Sequence, residues 1–191
     1  MRIITGKARG LKLRTPAGLS TRPTSDRVKE SLFSILGGLI DFADVDAVLD
    51  IFAGTGALGL EALSRGARSA IFIDSATTDI IRDNATRAKF FDACKILRGD
   101  FRKILPRLSR QTTFDLIFCD PPYAKGLAQS SAELVAELQL LSTGGLLIIE
   151  HGANEILSVA SPKLSLLREV SYGHTTAIKI FSRGQSQHCG S

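Results

Sequence analysis

The residues best suited to chemistry are Asp120-Pro121-Pro122-Tyr123, an acid, two prolines and an aromatic ring in direct succession. Asp120 and the carbonyl of Pro121 can accept the two N–H bonds of an exocyclic amine, while the Tyr123 ring stacks on the heterocycle that carries it. Such an amine is a weak nucleophile, because its lone pair is delocalised into the ring. Two acceptors that hold its protons would rehybridise the nitrogen and aim the lone pair at an electrophile. In isolation the same four residues make an ordinary Pro-Pro turn with a capping acid and a surface tyrosine, so their place in the chain decides.

They follow Phe114-Asp115-Leu116-Ile117-Phe118-Cys119, a run too short for a helix and apolar enough for a buried strand of a parallel sheet. The prolines end it, since neither can donate to the ladder. The tetrad therefore stands at a strand's carboxyl end, where open α/β sheets bind ligands. Three earlier strands end in the same manner. Residues 47–52 read as a buried strand running into Ala53-Gly54-Thr55-Gly56-Ala57-Leu58-Gly59, where Gly54 and Gly56 permit positive φ and let a ligand touch the backbone beside Phe52. Asp50 disfavours a diphosphate there and favours a ligand with positive charge, although Gly59 falls where a dinucleotide fingerprint has its third glycine. Ser69–Asp74 reads as the next strand, with Asp74 placed to accept ribose hydroxyls. Cys94–Arg98 is a third, ending at Gly99-Asp100-Phe101, an acid and a ring suited to an adenine amine and face. One such acid could be a helix cap; three in succession, followed by the tetrad, are hard to attribute to capping.

The other elements must hold these four strand ends together. Ile3-Ile4 and Leu11-Lys12-Leu13, set off by Gly6 and Gly10, predict a short hairpin bearing Lys7, Arg9, Lys12 and Arg14. A helix starts at Ser25 or Asp26, carries Val28, Leu32, Ile35, Leu36 and Leu39 at helical spacing, and stops at Gly37-Gly38; Arg22, Arg27 and Lys29 gather around its cap, where they could grip a phosphate or line a pocket. Further helices are expected over 76–90, 128–141 and 153–160. A strand is expected over 146–149, and a closing hairpin over 164–172 and 175–181 turns at Gly173-His174. The resulting expectation is one α/β domain over 1–182, a doubly wound, mostly parallel sheet with a C-terminal antiparallel hairpin. Its cofactor-binding core spans 45–182, its basic N-terminal hairpin and helix 1–40, and the polar tail 183–191 is expected to be disordered.

A chain of 191 residues with 44% hydrophobic content can bury roughly 70% of its unfolded surface. No apolar stretch approaches the roughly 20 residues of a membrane helix, and the first residues lack a signal-peptide core, so a cytosolic protein with no membrane partner is expected. Cys94, Cys119 and Cys189, with only His151, His174 and His188 to help, suit neither a disulfide framework nor a metal site, and no metal is expected. The net charge of +5 is unevenly spread: residues 1–30 hold Arg2, Lys7, Arg9, Lys12, Arg14, Arg22, Arg27 and Lys29 against Asp26 and Glu30, while the rest nearly cancels. A charge run of this kind is often only a solvated face; beside an amine-recognising tetrad it suits a surface that meets phosphates.

The glycine turn, the three strand-end acids and the tetrad, in this order, resemble the class I S-adenosylmethionine-dependent methyltransferases. Arg2-Ile3-Ile4-x-Gly6-Lys7-Ala8-Arg9-Gly10 and Arg22-Pro23-Thr24-Ser25-Asp26-Arg27-Val28-Lys29-Glu30-Ser31-Leu32-Phe33 narrow the resemblance to the bacterial small-subunit (16S) ribosomal RNA guanine-N2 methyltransferases, over residues 1–182. That resemblance implies an S-adenosyl-L-methionine cofactor held by Asp50, Phe52, Gly54, Gly56, Asp74, Asp100 and Phe101. It implies catalytic roles for Asp120, Pro121 and Tyr123, and RNA contacts from Lys7, Arg9, Lys12, Arg22 and Arg27. The partner would be 16S ribosomal RNA, within a small subunit or an assembly intermediate, met by a monomer. The family commonly has glutamate where Asp74 stands, and the shorter acid reaches less far toward a ribose. The tetrad by itself also suits an adenine-N6 methyltransferase of DNA or RNA. A non-catalytic RNA-binding assembly module that keeps the pocket and an NAD-linked oxidoreductase are the readings from other classes.

Overall fold

Apolar runs bounded by glycine, proline or an acid become the strands β1 (Ala47–Ile51), β2 (Ser69–Asp74), β3 (Cys94–Arg98), β4 (Phe114–Cys119), β5 (Leu141–Gly152), β6 (Leu164–Tyr172) and β7 (Thr176–Arg183). In a computed structural model that describes residues 1–16, 25–123, 126–159 and 161–184, they form one sheet in the order β3-β2-β1-β4-β5-β7-β6. The first five are mutually parallel; β7 runs antiparallel between β5 and β6. The order turns back between β1 and β4. That switch point opens the crevice where α/β sheets take ligands.

Helices cover both faces because alternate strand residues point to opposite sides. Val28, Leu32, Phe33 and Leu36 of α1 (Ser25–Gly37), Leu60 and Leu63 of α2 (Ala57–Arg65) and Ile81 and Ala85 of α3 (Thr78–Arg87) share one core with Val48, Phe72, Leu116 and Phe118. Phe101, Leu105 and Leu108 of α4 (Phe101–Leu108) and Ala128, Ala132 and Val135 of α5 (Leu127–Glu137) share the other with Leu49, Ile73, Ile117 and Leu147. Each fully buried large side chain contributes about 1.5–3 kcal/mol. No helix among the described residues is long and apolar enough to cross a membrane.

The N-terminal segment is a strap bound to α2. Its expected hairpin has one antiparallel bridge, Arg2 to Lys12, flanked by Ile3 N–H to Leu11 carbonyl and Gly10 N–H to Ile3 carbonyl bonds of 3.0 and 2.8 Å. Ile3 and Leu13 are buried beneath it. The amides of Ile4 and Thr5 donate to the Glu61 carboxylate, the Ala8 amide donates to Ser64 Oγ, and Ser64 Oγ donates to the Thr5 carbonyl. At Gly6, with φ +84°, a Cβ would lie 1.8 Å from the Ser64 carbonyl oxygen, so only glycine allows this approach.

Three expected elements are corrected, and a fourth element was not anticipated. Residues 153–159 form no helix, because their backbone groups are taken by other elements: Lys179 donates to the Leu157 carbonyl, Gln129 Nε2 to the Ser158 carbonyl, and the Ser158 amide to Gln129 Oε1. Strand β5 is longer than 146–149 and passes through Gly144 and Gly145 with a register shift opposite β4. Helix α5 stops at Glu137, short of 141, where the chain reverses through Gln139 at φ +51°. Helix α4 was not anticipated. Arg183 closes β7, and residues 185–191 of the expected tail lie outside the described residues.

Candidate active site

The carboxyl ends of β1, β4 and β5 and the first residue of β7 border a cavity of about 550 Å³. Asp50, Phe52, Gly54 and Thr55 form one wall, Asp120, Pro121, Pro122 and Tyr123 another, with Glu150, Thr176, Lys29 and Met1 completing it. The turn after β1 is shaped by its backbone. Phe52 sits at φ +63°, unusual for a side chain with Cβ, and Gly54 and Gly56 follow at +56° and +78°. A Cβ on Gly54 would come within 4 Å of only the Phe52 carbonyl oxygen, so the turn leaves room for a ligand against its backbone. The third glycine serves packing instead. A Cβ on Gly59 would lie 2.4 Å from the Phe72 ring, so Gly59 lets α2 pack on β2.

Asp50 is buried and accepts the Gly59 amide at 3.0 Å. Burial pushes its carboxyl up to about 7, against the lowering effect of that hydrogen bond, and the nearby Asp74 adds to the rise. The folded protein therefore keeps a proton that the unfolded chain releases near pH 4, and Asp50 costs stability as pH rises from 4 through 7. Asp50→Asn is expected to be more stable than the parent at pH 8 by roughly 2–4 kcal/mol, with the difference vanishing near pH 4. Urea denaturation at the two pH values measures this. A stability difference independent of pH would show that Asp50 ionises normally.

Asp74 braces the same turn. Its Oδ2 accepts the Gly54 amide at 3.0 Å, and Oδ1 accepts the amides of Ala76 and Thr77 at 2.8 and 2.9 Å. Burial raises its pKa, but the three amides, helped by the Thr77 hydroxyl, outweigh it and hold the carboxyl below its usual range. Three of about four acceptor positions are thus occupied within the protein. Asp100 caps α4 by accepting the Arg102 amide at 2.9 Å, and Phe101 is buried with its ring 5.0 Å from that of Phe52. Asp74, Asp100 and Phe101 do not line this cavity, whereas Phe52, against which the Phe101 ring packs, does.

On the opposite wall Asp120 is exposed at the tip of β4, its amide directed at the Ile51 carbonyl 3.5 Å away. Pro121 is buried and Tyr123 half-buried. The Tyr123 hydroxyl donates to Glu150 Oε1 at 2.5 Å and lies 2.9 Å from Thr176 Oγ1. Burial, and then the bond to Glu150, push the phenol pKa well above its ordinary value.

Of the expected phosphate-gripping residues, Lys7, Arg9, Lys12 and Arg27 are exposed, and Arg22 lies outside the described residues. Lys29 takes the other role open to the residues around that cap and lines the cavity. It is 3% exposed, donates to the Arg2 carbonyl and pairs with Glu61 at 3.3 Å; burial lowers its pKa although Glu61 raises it. It is an internal counter-ion, not a phosphate ligand. Glu150 and Thr176 were missed. Glu150 had a legible signal, an acid closing the apolar strand Leu146-Leu147-Ile148-Ile149, as Asp50 and Asp74 close theirs; Thr176 had none.

With this geometry in view, likeness to known proteins becomes informative. The profile of the family described as Conserved hypothetical protein 95 matches residues 1–181. The chain belongs to this family. The chain is also similar to a putative rRNA methyltransferase, YlbH, of Bacillus subtilis (strain 168), 36% identical over 186 residues, or 96% of this chain and 99% of that protein. The ribosomal RNA small subunit methyltransferase D of Escherichia coli (strain K12) is also 36% identical over 186 residues, 96% of this chain and 90% of that one. Among solved structures, the putative methyltransferase yhhF from Escherichia coli superposes with a TM-score of 0.82 at 35% identity, covering 96% of this chain and 98% of the other. The family is one of class I methyltransferases acting on ribosomal RNA.

Proposed function

We propose that the chain methylates the exocyclic N2 amine of a guanine in small-subunit ribosomal RNA, with S-adenosylmethionine as methyl donor. The observation that carries the reading is that the Asp120–Tyr123 tetrad and the glycine turn, through Gly54 and Thr55, line one cavity across the switch point. The small-subunit substrate is taken from the name of the Escherichia coli relative.

The cavity suits this cofactor. Its wall combines the acids Asp120 and Glu150, the buried Asp50 whose raised pKa a bound cation would lower, an open glycine turn and the apolar surfaces of Phe52, Leu58 and Met1, a match for a cationic ligand with an apolar body. When bound, S-adenosylmethionine supplies an electrophilic methyl group on a sulfonium. Asp50 and the Gly54–Gly56 turn would hold its charged end, and Phe52 would pack against it. Asp74, largely committed to the turn, retains capacity for about one further hydrogen bond.

Asp120 and the Pro121 carbonyl accept the two N–H bonds of the guanine amine and direct its lone pair inward, while Tyr123 stacks on the base. Alignment matters more than a strong base, because the methylated nitrogen is acidic enough to lose its proton readily. That proton passes to Asp120 and from its exposed position to solvent. Extracting the base costs a few kcal/mol. Lys7, Arg9, Lys12 and Arg27 offset this by meeting the RNA backbone, with Arg22 as a further contact.

The direct test is transfer of labelled methyl groups to small subunits lacking the modification, to free ribosomal RNA and to duplex DNA, followed by nucleoside analysis. Label in N2-methylguanosine is expected; label in N6-methyladenine would overturn the base assignment. Replacing Lys7, Arg9 and Lys12 by alanine is expected to reduce the slope of log affinity against log salt by about 2, close to 0.7 per lost contact to single-stranded RNA. An unchanged slope would place RNA on another face.

A further inference from the structure

We infer that Glu150 and Thr176 are positioning residues for methyl transfer, which together hold the Tyr123 hydroxyl so that its ring stands as a fixed wall for the target base. The role of that ring rests on the function proposed above; the hydrogen-bonded chain that fixes it is independent of which base is modified.

Tyr123 stands where the tetrad leaves the sheet. Its predecessor Pro122 is exposed and β4 has already ended at Cys119, so it stands beyond the end of the strand. A tyrosine ring in such a place would rotate about two side-chain torsions, and each base bound would have to immobilise it. The hydroxyl is instead tied to two different strands. Glu150 lies on β5 and Thr176 opens β7, and the antiparallel register that pairs Gly152 with Thr176 and Glu150 with Ile178 sets them diagonally across the same pair of strands.

The protons settle the direction of the chain. A carboxylate can only accept, so the single phenolic proton goes to Glu150 Oε1. The 2.9 Å contact with Thr176 must then be the threonine hydroxyl donating to the phenol oxygen. The sequence Thr176 O–H to Tyr123 O–H to Glu150 is directional, and its last bond is charge-assisted, so each member strengthens the next. Thr176 is 3% exposed, which shields its end from water. Both residues line the cavity with Asp120 and Pro121, so the ring is fixed relative to the acceptors that would orient the amine. A displacement of about 1 Å in such an alignment can cost about 10²-fold in rate.

The chain has two tyrosines and no tryptophan, so Tyr172→Phe leaves Tyr123 as its sole phenol and permits a readout that needs no RNA. In that background, ultraviolet titration should show Tyr123 resisting ionisation. Glu150→Ala should make it ionise at least about one pH unit earlier, a tenfold easier loss of the proton. On undermodified small subunits, counting all transferred label whatever the base, Glu150→Ala should lower kcat about 10- to 100-fold. Affinity for S-adenosylhomocysteine should stay within twofold. Glu150→Gln, whose amide oxygen still accepts from the phenol, should recover most of the rate. In a Tyr123→Phe background Glu150→Ala should add little, because the bond is already gone. The inference is overturned by an unchanged phenol titration, by Gln being as damaging as Ala, or by losses that multiply in the double variant. If the parent transfers no methyl group to any RNA, the proposed function fails, and the titration still decides whether Glu150 holds Tyr123.

Discussion

Asp120→Ala is expected to lower methyl transfer on the order of 10²- to 10³-fold, the loss seen when one preorganised hydrogen-bonding group is removed from a reacting centre. Cofactor affinity and thermal stability should remain those of the parent. The separation follows from where Asp120 sits: exposed at the tip of β4, across the cavity from the glycine turn, with its strand secured by buried Leu116, Ile117 and Phe118. Asp120→Asn separates two roles that alanine cannot. An amide oxygen still accepts one N–H of the amine but is a far weaker base. If Asp120 acts by holding the amine, asparagine should retain about a tenth or more of the rate. If asparagine is as inactive as alanine, Asp120 works mainly as the proton acceptor. Full activity of Asp120→Ala would remove the tetrad from the mechanism. Single-turnover methyl transfer, with S-adenosylhomocysteine binding measured on the same variants, gives all these outcomes.

The strand ends were legible because two signals coincide there. Buried strands such as Phe114–Cys119 must be apolar, and the residue that breaks the run is displayed at the crevice. Asp50, the glycine turn and the tetrad were found in that way, and the structure brings them to one cavity. Asp74, Asp100 and Phe101 share the same signal but stand outside that cavity's lining, and Asp74 and Asp100 also satisfy backbone amides. Helix α4 was hidden by its length and by Pro106, which removes a helical donor, although Asp100 as a cap and Phe101, Leu105 and Leu108 on one face were its marks. The expected helix over 153–160 failed for the opposite reason. Its local pattern was acceptable, but Gln129 and Lys179, distant in sequence, claim its backbone groups. Lys29 shows the same limit in a side chain. Nothing local distinguishes it from the exposed Arg27, and only the meeting with Glu61, across 32 positions, makes it internal.

That meeting carries the largest expected effect on stability. Glu61 is fully buried and gathers four donors: the amides of Ile4 and Thr5 at 2.7 and 3.0 Å, Arg65 Nε at 2.9 Å and Lys29 Nζ at 3.3 Å. Glu61→Ala leaves Lys29 as a buried cation without its counter-ion and two amides without their acceptor, a loss of about 3–5 kcal/mol. For a chain of this size the melting temperature should fall by roughly 10 °C, at 2–4 °C per kcal/mol. Part of the loss should return when the stranded charge is also removed, so Glu61→Ala with Lys29→Met is expected to melt above Glu61→Ala alone. The strap itself would be loosened, and with it both of its surfaces. Its inner side places Met1 in the cavity wall, while Asn84 donates to the carbonyls of both Arg14 and Thr55 and so joins the strap to the glycine turn. Its outer side carries Lys7, Arg9 and Lys12. Glu61→Ala, assayed well below its own melting temperature, should therefore also bind RNA more weakly. A melting temperature within about 2 °C of the parent would show that Ile3, Leu13 and Ser64 hold the strap without Glu61.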